Sequence, residues 1–235
     1  MDPTRLHLIR HGAVAPAWRS RLYGCLDVPL SEPGRREAQR AAEIVAQIDL
    51  AAVFSSGLER AEFGAACIRA GRGLERRDEP ALRELDRGEW AGLTFAELDR
   101  RDPGAYQRWS AAPHEVRPPG GENLTDLTRR VVPALARIAA EHRGAEIAIV
   151  THSWVIRVAV CAALAVPPAR CMRLDVSTGG MAVLDWPAGA EPEHEHARVD
   201  GAEDERGSLR PTLVGFGLDH APDRGRVWFR GPHRG

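Results

Sequence analysis

Four short stretches of this chain hold residue types suited to binding an anion and moving a proton. Arg10-His11-Gly12 sets a guanidinium beside an imidazole at the end of an apolar run. The glycine lets the chain turn away and lets an anion approach the backbone. Ser55-Ser56-Gly57-Leu58-Glu59-Arg60-Ala61 puts a second arginine one turn into a helix. Leu82 to Gly92, which contains Glu84 and Glu89, supplies a carboxylate ahead of a glycine-bounded loop, and Val150-Thr151-His152 brings a second imidazole to another strand end. All 32 residues in the Lys+Arg count are arginine. A Schiff-base lysine, a lysine base and a Walker-type lysine are thereby excluded together, so anions must be met by Arg or His.

Strands and helices alternate around these stretches. Leu6 to Arg10 reads as a buried strand that turns at Gly12. Ser31 is a candidate N-cap for a helix over Glu32 to about Asp49, with Pro33 in its first turn and Ala38, Ala41, Ile44, Val45 and Ile48 at helical spacing. Ala52 to Ser55 is expected as a strand, Leu58 to Ala70 as a helix stopped by Gly71, and Thr94 to Glu97 as a capping box opening a short helix. Leu124, Leu127, Val131, Leu135 and Ile138 mark a longer helix in which Pro133 is a candidate kink. Ile147 to Val150 follows as a strand, Ser153 to Leu164 as a helix, and Met172 to Val176, Met181 to Trp186 and Leu213 to Leu218 as further strands. This alternation predicts an α/β fold, a largely parallel sheet flanked by helices on both faces, with its site beyond the carboxyl ends of the strands.

Composition narrows the functions such a fold could serve. A formal charge of −1 disfavours a general nucleic-acid or acidic-membrane binder. With 43% hydrophobic and 28% charged residues, the 235-residue chain reads as one globular domain over 1–235. Its longest apolar run, Val158 to Val166, is too short to cross a bilayer, and the start lacks the pattern of a secretory signal. Cys25, Cys67, Cys161 and Cys171 are scattered without Cys-x-x-Cys spacing, which favours reduced structural thiols and a cytoplasmic setting over a zinc site or a disulfide framework. A polar, mixed-charge insertion at about 188–210 holds His194 and His196, a weak metal candidate, and an Arg-rich stretch at about 221–235 reads as a loose tail.

Taken in order, these motifs resemble the histidine phosphatase superfamily, the phosphoglycerate-mutase-like group, from Leu6 to about Trp186. The matching elements are strand-Arg-His-Gly, then Arg21, Gly24, Asp27, Pro29 and Leu30 in an Arg-x-x-Gly-x-x-Asp-x-Pro-Leu pattern. Ser-Ser-x-Leu-x-Arg-Ala, Glu84 ahead of Gly-x-Trp-x-Gly, Pro119-Gly120-Gly121-Glu122, and His152 followed by Arg157 complete the set. The resemblance implies a phosphoglycerate-mutase-like fold with frequent dimers, and a metal-independent phosphomonoester hydrolase without cofactor, acting on a small phosphorylated metabolite. It casts His11 as the nucleophile that becomes phosphohistidine, and Arg10, Arg60 and His152 as the phosphoryl pocket. Glu84 becomes the proton donor and later the base, a role that needs a carboxyl pKa raised toward neutrality. Arg21, Gly24, Ser153 and Arg157 become phosphate or substrate contacts.

Departures from the pattern bear on substrate. Ala13, Val14 and Ala17 stand where the family often has Glu-Thr or Glu-Ser and a phosphate-binding Asn, and Ser153-Trp154 replaces Gly-Gly. Trp154 is expected to pack under the pocket. The mutases' lysine and paired arginines, which hold a carboxylate, are replaced by Phe95, Ser110 and Ala111. That loss favours release of phosphate to water, in the manner of the α-ribazole and broad-specificity phosphatases. The alternatives are a cofactor-dependent mutase and a non-catalytic phosphate sensor. Specificity is expected from Thr94 to Asn123, with Tyr106, Arg108, Trp109, His114 and Arg117 as the side chains able to touch the organic part of a substrate.

Overall fold

The computed structural model describes residues 2–187 and 211–218. The expectations for the insertion at 188–210 and the tail at 221–235 lie outside these residues. β1 (Thr4–Arg10), α1 (Glu32–Ile44), β2 (Leu50–Ser55), α2 (Glu59–Arg69) and β3 (Arg77–Asp78) come first. They are followed by α3 (Phe95–Arg101), α4 (Ala105–Ala111), α5 (Leu124–Glu141), β4 (Glu146–Thr151), α6 (Ser153–Ala163), β5 (Met181–Trp186) and β6 (Thr212–Leu218). The strands form one mixed, mostly parallel sheet in the order β3-β2-β4-β1-β5-β6. β1, β2, β3 and β4 pair in parallel, while β5 and β6 are antiparallel additions at one side.

Alternation along each central strand assigns its side chains to two cores. Leu6 and Leu8 of β1 and Ile147 and Ile149 of β4 face one way, into a core shared with Leu127, Val131 and Leu135 of α5 and Val155 and Ala159 of α6. Ile9, Ala148 and Val150 face the other way, toward Ala41 of α1 and Ala61, Ala65 and Ile68 of α2. Both faces are therefore covered, as near-continuous apolar strands require. None of the helices among the described residues is long and apolar enough to cross a membrane.

Two local expectations are corrected. α1 ends at Ile44, not near Asp49, because Arg72 from the end of α2 binds the carbonyls of Val45, Ala46 and Ile48 at 2.7 to 2.8 Å. That guanidinium satisfies acceptors that another helical turn would have used. Met172 to Val176 is not a strand: Pro168–Arg173 forms a 3-10 helix, and the edge of β1 is already taken by β5. Pro168 suits a first turn and has no N–H to give a sheet. Pro133 lies inside α5 without ending it.

Thr94 and Asn123 each make a reciprocal capping box, with Glu97 and Asp126, at the starts of α3 and α5. The scattered cysteines are free thiols, yet Cys161 of α6 and Cys171 meet at 3.2 Å in the core. Sequence spacing carried no sign of that contact.

Candidate active site

Parallel pairing aligns Arg10 with Thr151 and Ser55 with Val150, so β1, β2 and β4 end together. His11, Ser56 and His152, the residues next in sequence, share that edge and are all buried. Gly12 fixes the exit of β1. A Cβ there would lie 1.9 Å from the Gly34 carbonyl oxygen in the first turn of α1, so only glycine permits the approach.

His11 Nδ1 lies 2.7 Å from the Gly12 carbonyl and acts as the donor, since a carbonyl can only accept. The neutral ring therefore keeps its lone pair on Nε2, which faces the Arg60 Nε–H at 3.3 Å. Burial, with help from the Arg60 and Arg10 charges, holds the His11 pKa well below the ordinary histidine value, although the Gly12 bond opposes this. The His152 ring stands 5.1 Å away at 60°. It is lowered in the same direction by burial first, then by Arg60. Its Nε2 is 2.7 Å from Ser56 Oγ, and its Nδ1 is buried without a partner.

Arg60 is held by the segment that contains Arg21, Gly24 and Asp27. Its Nη1 and Nη2 donate to the carbonyls of Leu26 and Gly24, both at 2.7 Å, leaving two of its five N–H donors for an anion. Asp27 accepts from the Glu59 backbone N–H at 2.8 Å and so caps α2, whose N-cap residue, Leu58, has no oxygen on its side chain. The Tyr23 ring lies 5.2 Å from the Arg60 guanidinium carbon. Arg10 gives Nη1 to the Val176 carbonyl at 2.5 Å, while its Nε is buried and unpaired.

Glu84 approaches from a different part of the fold. Its Oε1 accepts from the backbone N–H groups of Leu85 (2.9 Å) and Trp154 (3.2 Å), the latter in the first turn of α6. Oε2 has no partner among the described residues, which leaves it for a proton or a substrate. Arg130 of α5 braces the loop. It pairs with both oxygens of Glu122 at 2.7 Å and donates to the carbonyls of Ala81, Arg83 and Glu84. Glu122 in turn accepts from the Asp86 N–H at 3.1 Å. The Pro-Gly-Gly-Glu motif thus acts through the backbone around Glu84.

His11, Arg10, Arg60, His152 and Glu84 are brought together. Gly24 meets Arg60 through its carbonyl, and Ser153 opens α6 beside His152. Arg21 and Arg157 each hold acceptors of their own through one nitrogen of the guanidinium. Arg21 holds the Gly92 carbonyl at 2.7 Å and Glu97 at 3.2 Å. Arg157 reaches Asp175 at 3.1 Å and covers the Trp154 ring at 4.7 Å. Trp154 packs edge-on against Trp109. Ser56 and Arg130 join the site without having been singled out from the sequence. Ser56 stands inside a recognised motif, whereas Arg130 gave no signal in a chain so rich in arginine.

Comparison with known proteins identifies the family of the chain. The sequence profile of the histidine phosphatase superfamily (branch 1) matches residues 6–196. Glucosyl-3-phosphoglycerate phosphatase of Mycobacterium tuberculosis is 35% identical over 198 residues, covering 79% of this chain and 85% of that protein. The bifunctional protein Rv2228c of Mycobacterium tuberculosis is 34% identical over 185 residues, 78% of this chain, and the match spans only 50% of that relative's length. Among solved structures, Bacillus stearothermophilus YhfR superposes with a TM-score of 0.75 at 30% identity, over 79% of this chain and 93% of that one. The chain belongs to the histidine phosphatase superfamily, branch 1.

Proposed function

We propose that this chain is a metal-independent phosphomonoester hydrolase that acts through a phosphohistidine on a small phosphorylated metabolite. The observation that carries this reading is the state of His11. Its Nδ1 proton is held by Gly12, and its Nε2 lone pair is directed among the Arg60 and Arg10 charges. A nucleophile must be neutral to attack, and burial beside two cations keeps it so at neutral pH.

In the proposed reaction, Arg10, Arg60 and His152 surround the phosphoryl oxygens, whose charge spreads in the transition state. His11 Nε2 forms the bond to phosphorus as the bond to the leaving oxygen breaks. Protonated Glu84 gives that oxygen its proton from the unpaired Oε2. Glu84 then takes a proton from the water that attacks phosphohistidine, the P–N bond breaks, and phosphate leaves. Gly24 and Ser153 contribute backbone groups, while Arg21 and Arg157 act through the elements they tie down. The whole chain is proposed to serve as one catalytic domain, and the four free thiols suit a reducing cytoplasm.

The test is phosphate release from an aryl phosphate by the wild type and His11→Ala, each with and without a chelator. Chelator-resistant turnover that the variant abolishes supports the reading. Metal-dependent turnover overturns the mechanism, and isomerised phosphoglycerate without free phosphate shows a mutase instead.

A further inference from the structure

Among the described residues, Arg87 is the buried charge for which the chemistry above gives no work. It lies three residues after Glu84 in the same loop and is only 6% exposed. Its Nη1 is fully buried without a partner, and its guanidinium makes no hydrogen bond or ion pair among the described residues. Arg60, the other arginine so deeply buried, spends three donors on carbonyls and His11. Aromatic faces are what hold Arg87: its guanidinium carbon lies 4.5 Å from the Trp109 ring centre and 5.7 Å from that of Trp154. Those two indoles meet at 88°, so the guanidinium sits in the corner between them.

The corner adjoins the reaction. Trp154 donates its backbone N–H to Glu84, and the Arg87 stem packs where a side chain at Gly24 would lie, 2.9 Å from a built Cβ. Burial pulls the Arg87 pKa below the ordinary arginine value, and the nearby Glu84 carboxyl works against that shift. Water has been removed from a cation without a carboxylate or carbonyl being supplied in exchange. An unpaired guanidinium is a fork of N–H donors that can take a planar carboxylate through two parallel hydrogen bonds. One cation matches a monoanion better than a second phosphate dianion.

Building on the hydrolase reading, we infer that Arg87 is a specificity residue that binds a carboxylate on the leaving group of the substrate. The position differs from the mutase clamp, whose places are held here by Phe95, Ser110 and Ala111. The substrate class is therefore a phosphomonoester of a hydroxy acid, with its carboxylate on the Glu84 side of the scissile bond.

The test compares 3-phosphoglycerate with glycerol 3-phosphate, which has CH2OH in place of the carboxylate. kcat/KM is measured for the wild type, Arg87→Met and Arg87→Lys. The wild type is expected to prefer 3-phosphoglycerate about tenfold to a hundredfold, the range of a charge-assisted hydrogen bond. Arg87→Met removes the preference, mainly through KM, and changes glycerol 3-phosphate hydrolysis by less than about threefold, while Arg87→Lys restores part of it. An equal loss on both substrates would make Arg87 a support for Glu84 and overturn the inference, as would a wild type without preference. Failure to release phosphate from any substrate, aryl phosphate included, is instead the failure of the hydrolase reading. Calorimetric titration of both compounds into His11→Ala and His11→Ala/Arg87→Met then decides the matter without turnover. Tighter binding of 3-phosphoglycerate that depends on Arg87 supports the inference, and equal or absent binding rejects it.

Discussion

The two halves of this site are held in different ways. The proposed phosphate side, with Arg10, His11, Arg60 and His152, stands on the ends of two parallel strands, β1 and β4, and the first turn of α2. Backbone carbonyls hold Arg10, His11 and Arg60 there, and Ser56 holds His152. The cover, from the Glu84 loop through α3 and α4 to Glu122, is held by side chains. Phe95, Tyr106, Trp109 and Trp154 form a chain of rings with centroids 4.7 to 5.5 Å apart, running from a residue 45% exposed to one that touches Glu84. Backbone geometry tolerates little variation, whereas ring packing tolerates exchange of one apolar shape for another. The phosphate side is thus suited to a fixed reaction, and the cover to a choice of leaving group.

This contrast is most severely tested at His11. His11→Ala is expected to lower kcat on the order of 10^4-fold or more with little change in stability, measured by steady-state kinetics and thermal melting. Gly12→Ala attacks the scaffold instead. With 1.9 Å between the new Cβ and the Gly34 carbonyl, it is expected to cost about 3 kcal/mol or to abolish folding, read by denaturant titration. Retention of full stability would show that this edge is less rigid than its contacts imply. Glu122→Gln loosens the brace on the cover side, and kcat is expected to fall roughly tenfold to a hundredfold, with KM moving less than about threefold. Loss of binding without loss of kcat would contradict a positioning role.

Acid separates the halves in another way. His11 and His152 have folded-state pKa values below their unfolded values near 6.5, so the unfolded chain binds more protons beneath that pH. Stability is therefore fully present above about pH 6.5 and lost on acidification toward the folded values. Each histidine adds a slope of about 1.4 kcal/mol per pH unit inside that window. Melting measured from pH 7.5 to 5 should show the decline, and His152→Asn should flatten it. The smallest effect belongs to the outer end of the cover. Phe95→Ser is expected to change stability by less than about 0.5 kcal/mol, while altering KM for an aryl phosphate a few-fold.

Much of this organisation was legible in the sequence. The strand-Arg-His-Gly junction, the helix bearing Arg60 and the strand ending at His152 all lie where periodicity and capping residues placed them. The misread segment, Met172 to Val176, looked extended locally, but the sheet edge it needed was already paired with β5. The end of α1 was misjudged because its stop signal, Arg72, comes from the end of a different helix. Asp27 showed only as a motif letter, and its cap on α2 spans 32 residues of chain.

Arginines mark the boundary most clearly. The sequence by itself determined that any anion here meets Arg or His, since lysine is absent and the motif residues sit at strand ends and a helix start. Local pattern suffices for that, because strand and helix periods follow from neighbouring residues. Only the tertiary structure decided which guanidinium does what. Arg60 reaches His11, Arg130 braces Glu84, Arg21 and Arg157 turn to other acceptors, and Arg87 stays unpaired between two indoles. Those outcomes depend on acceptors and rings brought in from distant parts of the chain, and long-range packing alone sets which of them lies within hydrogen-bond reach.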